Sequence, residues 1–543
     1  MNHYFLQGCW LSALVISSFG CKTATDKEDA EKPNIIYIMT DDHAYQALSC
    51  YGSDLIETPN LDRIAEDGMP FVRSFVTNSI SAPSRATLLT GKYSHKNGVI
   101  DNSKEFDSSQ VTFPKLLQQA GYQTAMIGKW HLKSEPAGFD YWKVLPGQGV
   151  YYNPSFIEMG ERVQDTGFSA DLITDAAINW LEQTDKEKPF CMLYHFKAPH
   201  RGWWPKPENM KSFDRRDLPE PETLFDDYKN RKAAEFAMME IDSHMYVSSD
   251  LKVKPEMVKK KDIHPDMAFA ERTTRRYNWN FNKLNAEQKK EWEEAYQDRY
   301  EEFRQQDPES KEFVRWKYQQ YMEDYLGCVA SVDENVGRLL DYLEEKGLKE
   351  NTLIVYTSDQ GFYLGEHGWF DKRFMYEESL RMPLMVSYPA DIEAGTVNKD
   401  IVLNLDFAPT FLDYAGVEIP EEMQGRSLKP VLKGETPEDW RDAMYYHYYE
   451  YPSSHAVKRH YGIRTDRYKL IHFYYDIDAW EFYDLKQDSL EVHNEIDNPE
   501  YQDKIEELKG ELDNLRNRYE DSDSLAQEYI EQWIESGRTE NGF

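Results

Sequence analysis

Two short stretches of this 543-residue chain place oxygen-bearing side chains directly after apolar, β-prone runs. Asn34 to Met39 ends at Thr40-Asp41-Asp42, and Thr352 to Tyr356 ends at Thr357-Ser358-Asp359-Gln360-Gly361. An abrupt change from apolar to acidic is the pattern of a buried parallel strand delivering polar groups at its carboxyl end, where open α/β sheets bind ligands. Adjacent aspartates alone are more often a turn or helix cap. Two such strand ends together supply Asp41, Asp42, Asp359 and Gln360, an oxygen-only set that suits a hard cation such as Ca²⁺ rather than zinc.

A third chemical signal is Ser81-Ala82-Pro83-Ser84-Arg85, running through Ala86 to Thr90-Gly91-Lys92. Proline followed by helix formers reads as a helix start. A hydroxyl placed there faces oriented N–H groups that favour an anion, and Arg85 adds a permanent cation. The segment resembles the signature of the type I sulfatases, Cys or Ser-x-Pro-Ser-Arg followed by Thr-Gly, whose first residue is oxidised to formylglycine. Ser81 is read either as the native residue of a serine-type enzyme or as a serine standing for cysteine. A plain serine hydroxyl is a weak nucleophile near neutrality, whereas a hydrated aldehyde offers two hydroxyls. The resemblance therefore implies a formylglycine-generating maturase as a partner.

Further positions match the same family. Gly128-Lys129-Trp130-His131 resembles its GKWH element, which implies that Lys129 and His131 contact the formylglycine. Pro199-His200 resembles the family histidine that faces the ester oxygen, and Lys372 in WFDKR its sulfate-binding lysine. The resemblance also assigns Asp41, Asp42, Asp359 and Gln360, with residue 81, to the calcium site. The implied reaction has a hydroxyl on residue 81 attacking sulfur with Asp359 as base, His200 protonating the leaving sugar oxygen, and His131 completing sulfate release. Arg85, Lys129 and Lys372 would neutralise the transferring group.

Glu57 to Gly68, the SVDENVGRLLDYL helix and Tyr461 to Ile471 match as well, so the likeness covers nearly all of the chain after Cys21. Within the family, HAVKRHYGIRTDRYKL is similar to bacterial N-acetylglucosamine-6-sulfatases acting on heparin or heparan sulfate. Asp371, Arg373 and His455 are the corresponding candidates for binding sugar hydroxyls. Trp203 and Trp204, just after His200, are compatible with stacking on sugar rings and equally with core packing.

The elements that must hold these residues follow from periodicity. Strand-like runs at Thr124 to Gly128, Pro189 to Phe196 and Pro383 to Tyr388 alternate with helical stretches, including one from Ala330 to Lys346. This predicts an α/β fold: a large, mostly parallel sheet flanked by helices, alkaline phosphatase-like by the resemblance. The charge-rich span 205–317 reads as solvated helices inserted into that domain. After about residue 425, short aromatic alternating segments and an amphipathic stretch near Lys504 to Tyr519 predict a smaller C-terminal α+β unit with an antiparallel sheet. The expected division is 1–21 signal peptide, 22–424 catalytic domain and 425–543 C-terminal subdomain.

Composition narrows the function classes. The hydrophobic fraction of 40% is that of a folded enzyme, and a net charge of -34 excludes a broad nucleic-acid surface. An anionic substrate then requires a locally basic pocket. The apolar run Cys9 to Gly20, followed by Cys21 and a polar stretch, reads as a signal peptide with a lipoprotein-type cysteine. That implies an exported, periplasmic protein touching the membrane only through a lipid on Cys21. Two rival readings follow: a phosphodiesterase or phosphonate monoester hydrolase of the same superfamily, and a catalytically silent glycan-binding lipoprotein in which Ser81 stays unoxidised.

Overall fold

A computed structural model describes residues 32–210, 217–258, 270–453 and 455–536. The expected signal peptide, residues 1–21, and its Cys21 lie outside the described residues.

The central sheet has nine strands. They are β1 (Asn34–Thr40), β2 (Met69–Pro70), β3 (Gln123–Lys129), β4 (Tyr141–Leu145), β5 (Ser155–Glu158), β6 (Glu161–Gln164), β7 (Phe190–His195), β8 (Thr352–Ser358) and β9 (Leu384–Ser387). Their order is β2-β9-β8-β1-β7-β3-β4-β5-β6. The inner five, β8 to β4, run parallel. The margins are antiparallel, so Leu384–Ser387 does not extend the parallel set as its composition suggested.

Both faces of β1 are buried, which explains its unbroken apolar run. Ile36 and Ile38 join Met192, Tyr194, Ile354 and Tyr356 in a core against a long helix, while Ile35, Tyr37 and Met39 join Leu193, Val355 and Phe411 on the other side. The long helix is Lys311–Glu345, starting 19 residues before the predicted Ala330. The sequence signal was diluted there because Lys317 and Asp324 are charged yet buried.

The span 205–317 departs most from expectation. It does contain helices, at Ala270–Phe281, Ala286–Ala295 and Gln297–Phe303, but its described portion from 217 to 258 is mostly turns. Trp292, Tyr296 and Tyr300 are buried in the core, with Trp204 stacked on Trp292 at 4.3 Å. Trp203 and Trp204 are themselves buried, 0% and 1% exposed, so they pack the interior and do not meet a sugar.

Strands β10 (Ala443–Tyr448), β11 (His460–Thr465), β12 (Tyr468–Phe473) and β13 (Ala479–Asp484) form an antiparallel meander. Leu508, Leu512 and Leu515 of the helix Gln502–Arg518 share its core with Phe374 and Met375, which tie the meander to the loop carrying Lys372. A final helix, Asp523–Glu535, was not anticipated.

Candidate active site

Register decides where the chemistry sits. Met39 is level with His195 and Thr357, Thr40 with Ser358, and Gly128 with His195. Four strands therefore end at one edge, releasing Asp41-Asp42, Lys129-His131, Lys197-His200 and Asp359-Gln360 into the same space. Gly128 is needed there: at φ +106° a Cβ would lie 1.8 Å from the His195 carbonyl oxygen.

Ser81 opens the helix Ser81–Thr90, all ten residues of which are buried. Its hydroxyl donates to Asp41 Oδ1 at 3.0 Å. Asp41 also pairs with the Lys129 ammonium, which donates in turn to Gln148 Oε1 at 2.5 Å. The Lys372 ammonium donates to Asp42 Oδ1 at 2.5 Å, and the Asp42 amide donates to Asp359 Oδ1 at 3.1 Å. Gln360 donates its amide to Asp42 and, at 2.7 Å, to Asp359. Arg85 bridges the set, giving one hydrogen bond to Asp359 Oδ2 at 3.0 Å and one to the Lys129 carbonyl at 2.6 Å.

All the residues assigned to nucleophile and metal are thus brought together. The donor set fits a hard cation: three carboxylates, an amide and a hydroxyl converge, and Asp42 Oδ2 and Gln360 Oε1 are buried with no hydrogen-bond partner. Asp41, Asp42 and His200 each present a ligating atom within 4.8 Å of the others. Burial pushes Asp42 up to about 6, with Asp359 and Asp371 adding to the rise and Lys372 opposing it.

Around this centre lie more positive groups than the sequence marked. Burial lowers Lys129 well below its usual range, with Lys197 adding to the effect, and brings Lys197 itself down to about 8. His131 and His200 are depressed by burial and then by neighbouring cations, Lys129 foremost, which favours neutral imidazoles. Lys197, lying over the Tyr151 ring at 4.8 Å, was missed by sequence reasoning, as were His195 and Gln148. Lys197 sits three residues before His200 on the same strand exit, the one signal that pointed to it.

The sugar-binding candidates also meet. Asp371 lies 3.3 Å from His455 Nε2 and 3.1 Å from Arg373 Nε, and Arg373 pairs with Glu450 at 2.5 Å. Despite the desolvation penalty, His455 and Arg373 hold Asp371 below the ordinary carboxylate range. Asp42, His131, Asp371 and Arg373 all adopt positive φ, between 60° and 105°. Such backbone is costly for residues with a Cβ and gathers at sites whose surroundings impose it.

A buried hydroxyl at a helix start, a set of oxygens that fits a hard cation and several nearby cationic side chains make an arrangement suited to a small tetrahedral anion. The sulfatase family model matches residues 33–417, and a model described as the C-terminal part of N-sulphoglucosamine sulphohydrolase matches 365–518. The chain belongs to the sulfatase family and is a sulfuric ester hydrolase. It is 54% identical to an N-acetylglucosamine-6-O-sulfatase of Bacteroides thetaiotaomicron over 93% of this chain and 90% of that one. It is 28% identical to human N-acetylglucosamine-6-sulfatase over 77% of this chain and 67% of that one. A solved structure in complex with its substrate, D-glucosamine-2-N,6-O-disulfate, superposes with a TM-score of 0.86 at 54% identity, covering 91% of this chain and 99% of that one. A phosphonate monoester hydrolase of Agrobacterium radiobacter shares the fold, with a TM-score of 0.64 at 20% identity over 90% and 96% of the two chains.

Proposed function

We propose that this protein removes the 6-O-sulfate of N-acetylglucosamine in heparin or heparan sulfate oligosaccharides, using formylglycine made from Ser81 and a bound Ca²⁺. The observation that carries the substrate assignment is the grouping of Asp371, Arg373 and His455 immediately beside Lys372, together with the 54% identity to a sulfatase of that name.

Asp41, Asp42, Asp359 and Gln360 would hold the cation with the side chain of residue 81. Ca²⁺ there supplies Lewis-acid polarisation of a sulfate oxygen, and the formylglycine hydrate supplies a nucleophilic hydroxyl and a second one for release. The remaining work falls to the chain's own groups. Lys129 and Lys372 place ammoniums against the anionic oxygens, and Arg85 fixes Asp359, the proposed base, in orientation. His200, charged once the sulfate ester brings its negative oxygens among the lysines, keeps Nδ1–H on the Arg201 carbonyl and donates its Nε2 proton to the sugar oxygen as the S–O bond breaks. His131, whose Nδ1 is buried without a partner, accepts the proton released at residue 81.

The protein is proposed to be exported to the periplasm and anchored by a lipid on Cys21, supported by the apolar run Cys9 to Gly20 that precedes it. Its proposed partners are the sulfated glycan and a maturase that oxidises Ser81.

The test is sulfate release from N-acetylglucosamine-6-sulfate by calcium-loaded protein co-expressed with a maturase, alongside the mass of the Ser81 peptide. Turnover with a peptide about 2 Da lighter than the serine form supports the reading. An aldehyde without turnover overturns the substrate. Hydrolysis of phosphodiesters to an alcohol and a phosphomonoester in preference to sulfate esters would favour the rival hydrolase.

A further inference from the structure

Asp250 is carried by the charge-rich span that composition assigned to the surface, yet it is 1% exposed. Its carboxylate accepts from Arg201 Nε at 3.0 Å and Nη2 at 2.6 Å, a two-pronged pair, and from the Tyr246 amide at 2.8 Å. The clamped guanidinium lies over the Phe370 ring at 4.5 Å, next to Asp371, and over Tyr246 at 5.1 Å. The residue it belongs to directly follows His200, and its carbonyl accepts a hydrogen bond from His200 Nδ1 at 2.6 Å.

An imidazole has a broad, soft χ2 torsion, so its direction must be set by a partner. With Nδ1–H committed to the Arg201 carbonyl, Nε2 is the nitrogen turned to the reaction centre, 3.8 Å from Asp42 Oδ2. Tyr151 Oη holds the other side of the same turn by donating to the His200 carbonyl at 2.7 Å. The remaining freedom of this turn is the placement of the Arg201 carbonyl, which the Asp250 clamp restrains through the side chain of the same residue.

We propose that Asp250 is a positioning residue for the leaving-group proton donor, acting through Arg201 on the orientation of His200. The inference rests on the reading of His200 as that donor.

A donor to the leaving oxygen matters for a sugar alkoxide and matters little for a stable phenolate. The experiment compares Asp250→Asn, Arg201→Lys and His200→Ala on N-acetylglucosamine-6-sulfate and on 4-nitrophenyl sulfate. Lysine keeps the charge but loses the fork geometry. For Asp250→Asn, kcat on the sugar sulfate should fall about 30-fold with KM within about twofold, and the rate on the aryl sulfate should stay within about threefold. Arg201→Lys should show the same asymmetry, and it carries the test if the Asp250 variant does not fold. His200→Ala should show it more strongly, by about 10²–10³ on the sugar sulfate. Equal losses on both substrates, or none, in the Asp250 and Arg201 variants alongside an asymmetric His200 variant would overturn the positioning role alone. A His200 variant that slows both substrates equally would overturn the donor reading, and this inference with it.

Discussion

Where the C-terminal meander meets the catalytic domain, Glu377 accepts from Arg464 Nε and Nη2, each at 3.1 Å, and pairs with Lys469 at 3.0 Å. Lys469 continues to Glu491 at 2.6 Å, and Glu491 accepts from the Glu377 amide at 2.7 Å. The active centre is built from the same ingredients, carboxylates, lysines and an arginine, equally removed from water. There the charges close less tightly: Asp42 Oδ2, Gln360 Oε1 and His131 Nδ1 have no hydrogen-bond partner and Asp42 Oδ2 stands 3.8 Å from His200 Nε2, whereas Lys469 Nζ and Glu491 Oε1, likewise outside hydrogen-bond geometry, meet as an ion pair at 2.6 Å. A buried charge lacking a partner is expensive, so a fold keeps such groups where a ligand completes them. The interface cluster ties the meander to the rest of the fold, and the strand-end cluster is the one proposed to serve the reaction.

The largest effect that would sharpen this contrast is on catalysis. Ser81→Ala should cut sulfate release on the order of 10⁴-fold or more while leaving the thermal midpoint close to wild type. Residual turnover near wild type would remove Ser81 from the centre of the chemistry. Glu377→Ala should do the reverse. It leaves Arg464 and Lys469 with less countercharge in a buried site and should destabilise the protein by about 3–5 kcal/mol, read as a lowered unfolding midpoint, with kcat at 25 °C little changed. A loss of kcat without loss of stability would break the comparison.

Calcium separates the clusters next. At a concentration of about 100 times Kd it should stabilise the wild type by about 2.7 kcal/mol, and Asp359→Ala should abolish that gain. An undiminished gain in the variant would place the cation elsewhere.

The smallest effect concerns Glu481 in β13. It accepts from Tyr376 at 2.7 Å and Tyr483 at 2.9 Å, and burial pushes it up to about 7. A carboxyl whose folded value is raised stabilises the fold below the unfolded value near 4.5, and that contribution is lost as pH rises through about 7. Glu481→Gln should therefore melt higher than wild type at pH 8, by about 2 kcal/mol, and show no such advantage at pH 4.5. Parallel melting curves for the two proteins across that range would show that Glu481 does not titrate there.

Much of the centre was legible because its residues are concentrated in short local patterns. A buried strand that stops at two acids and a helix that opens on a hydroxyl before Pro83 and Arg85 each carry a local physical signature, whereas Lys129, His131, His200 and Lys372 were reached through the family resemblance. The span 205–317 misled for the opposite reason. Its charges look solvated in sequence, but Arg299 and Asp324 bury one another with bonds at 2.8 and 3.0 Å, and Asp250 is buried against Arg201. Pairing across the chain is invisible to composition.

By itself the sequence determined the chemistry on offer: which strands are buried on both faces, which oxygens follow them, and that a hydroxyl stands at a helix start beside an arginine. Only the tertiary structure decided the company those groups keep. Strand register set four exits level at one edge, and packing of the meander against the Lys372 loop brought His455 to Asp371 and Glu450 to Arg373. The physical reason is range. Periodicity and turn chemistry act over a few residues, whereas the field around Asp42 is the sum of groups up to 330 positions away, and folding alone places them within a few ångströms.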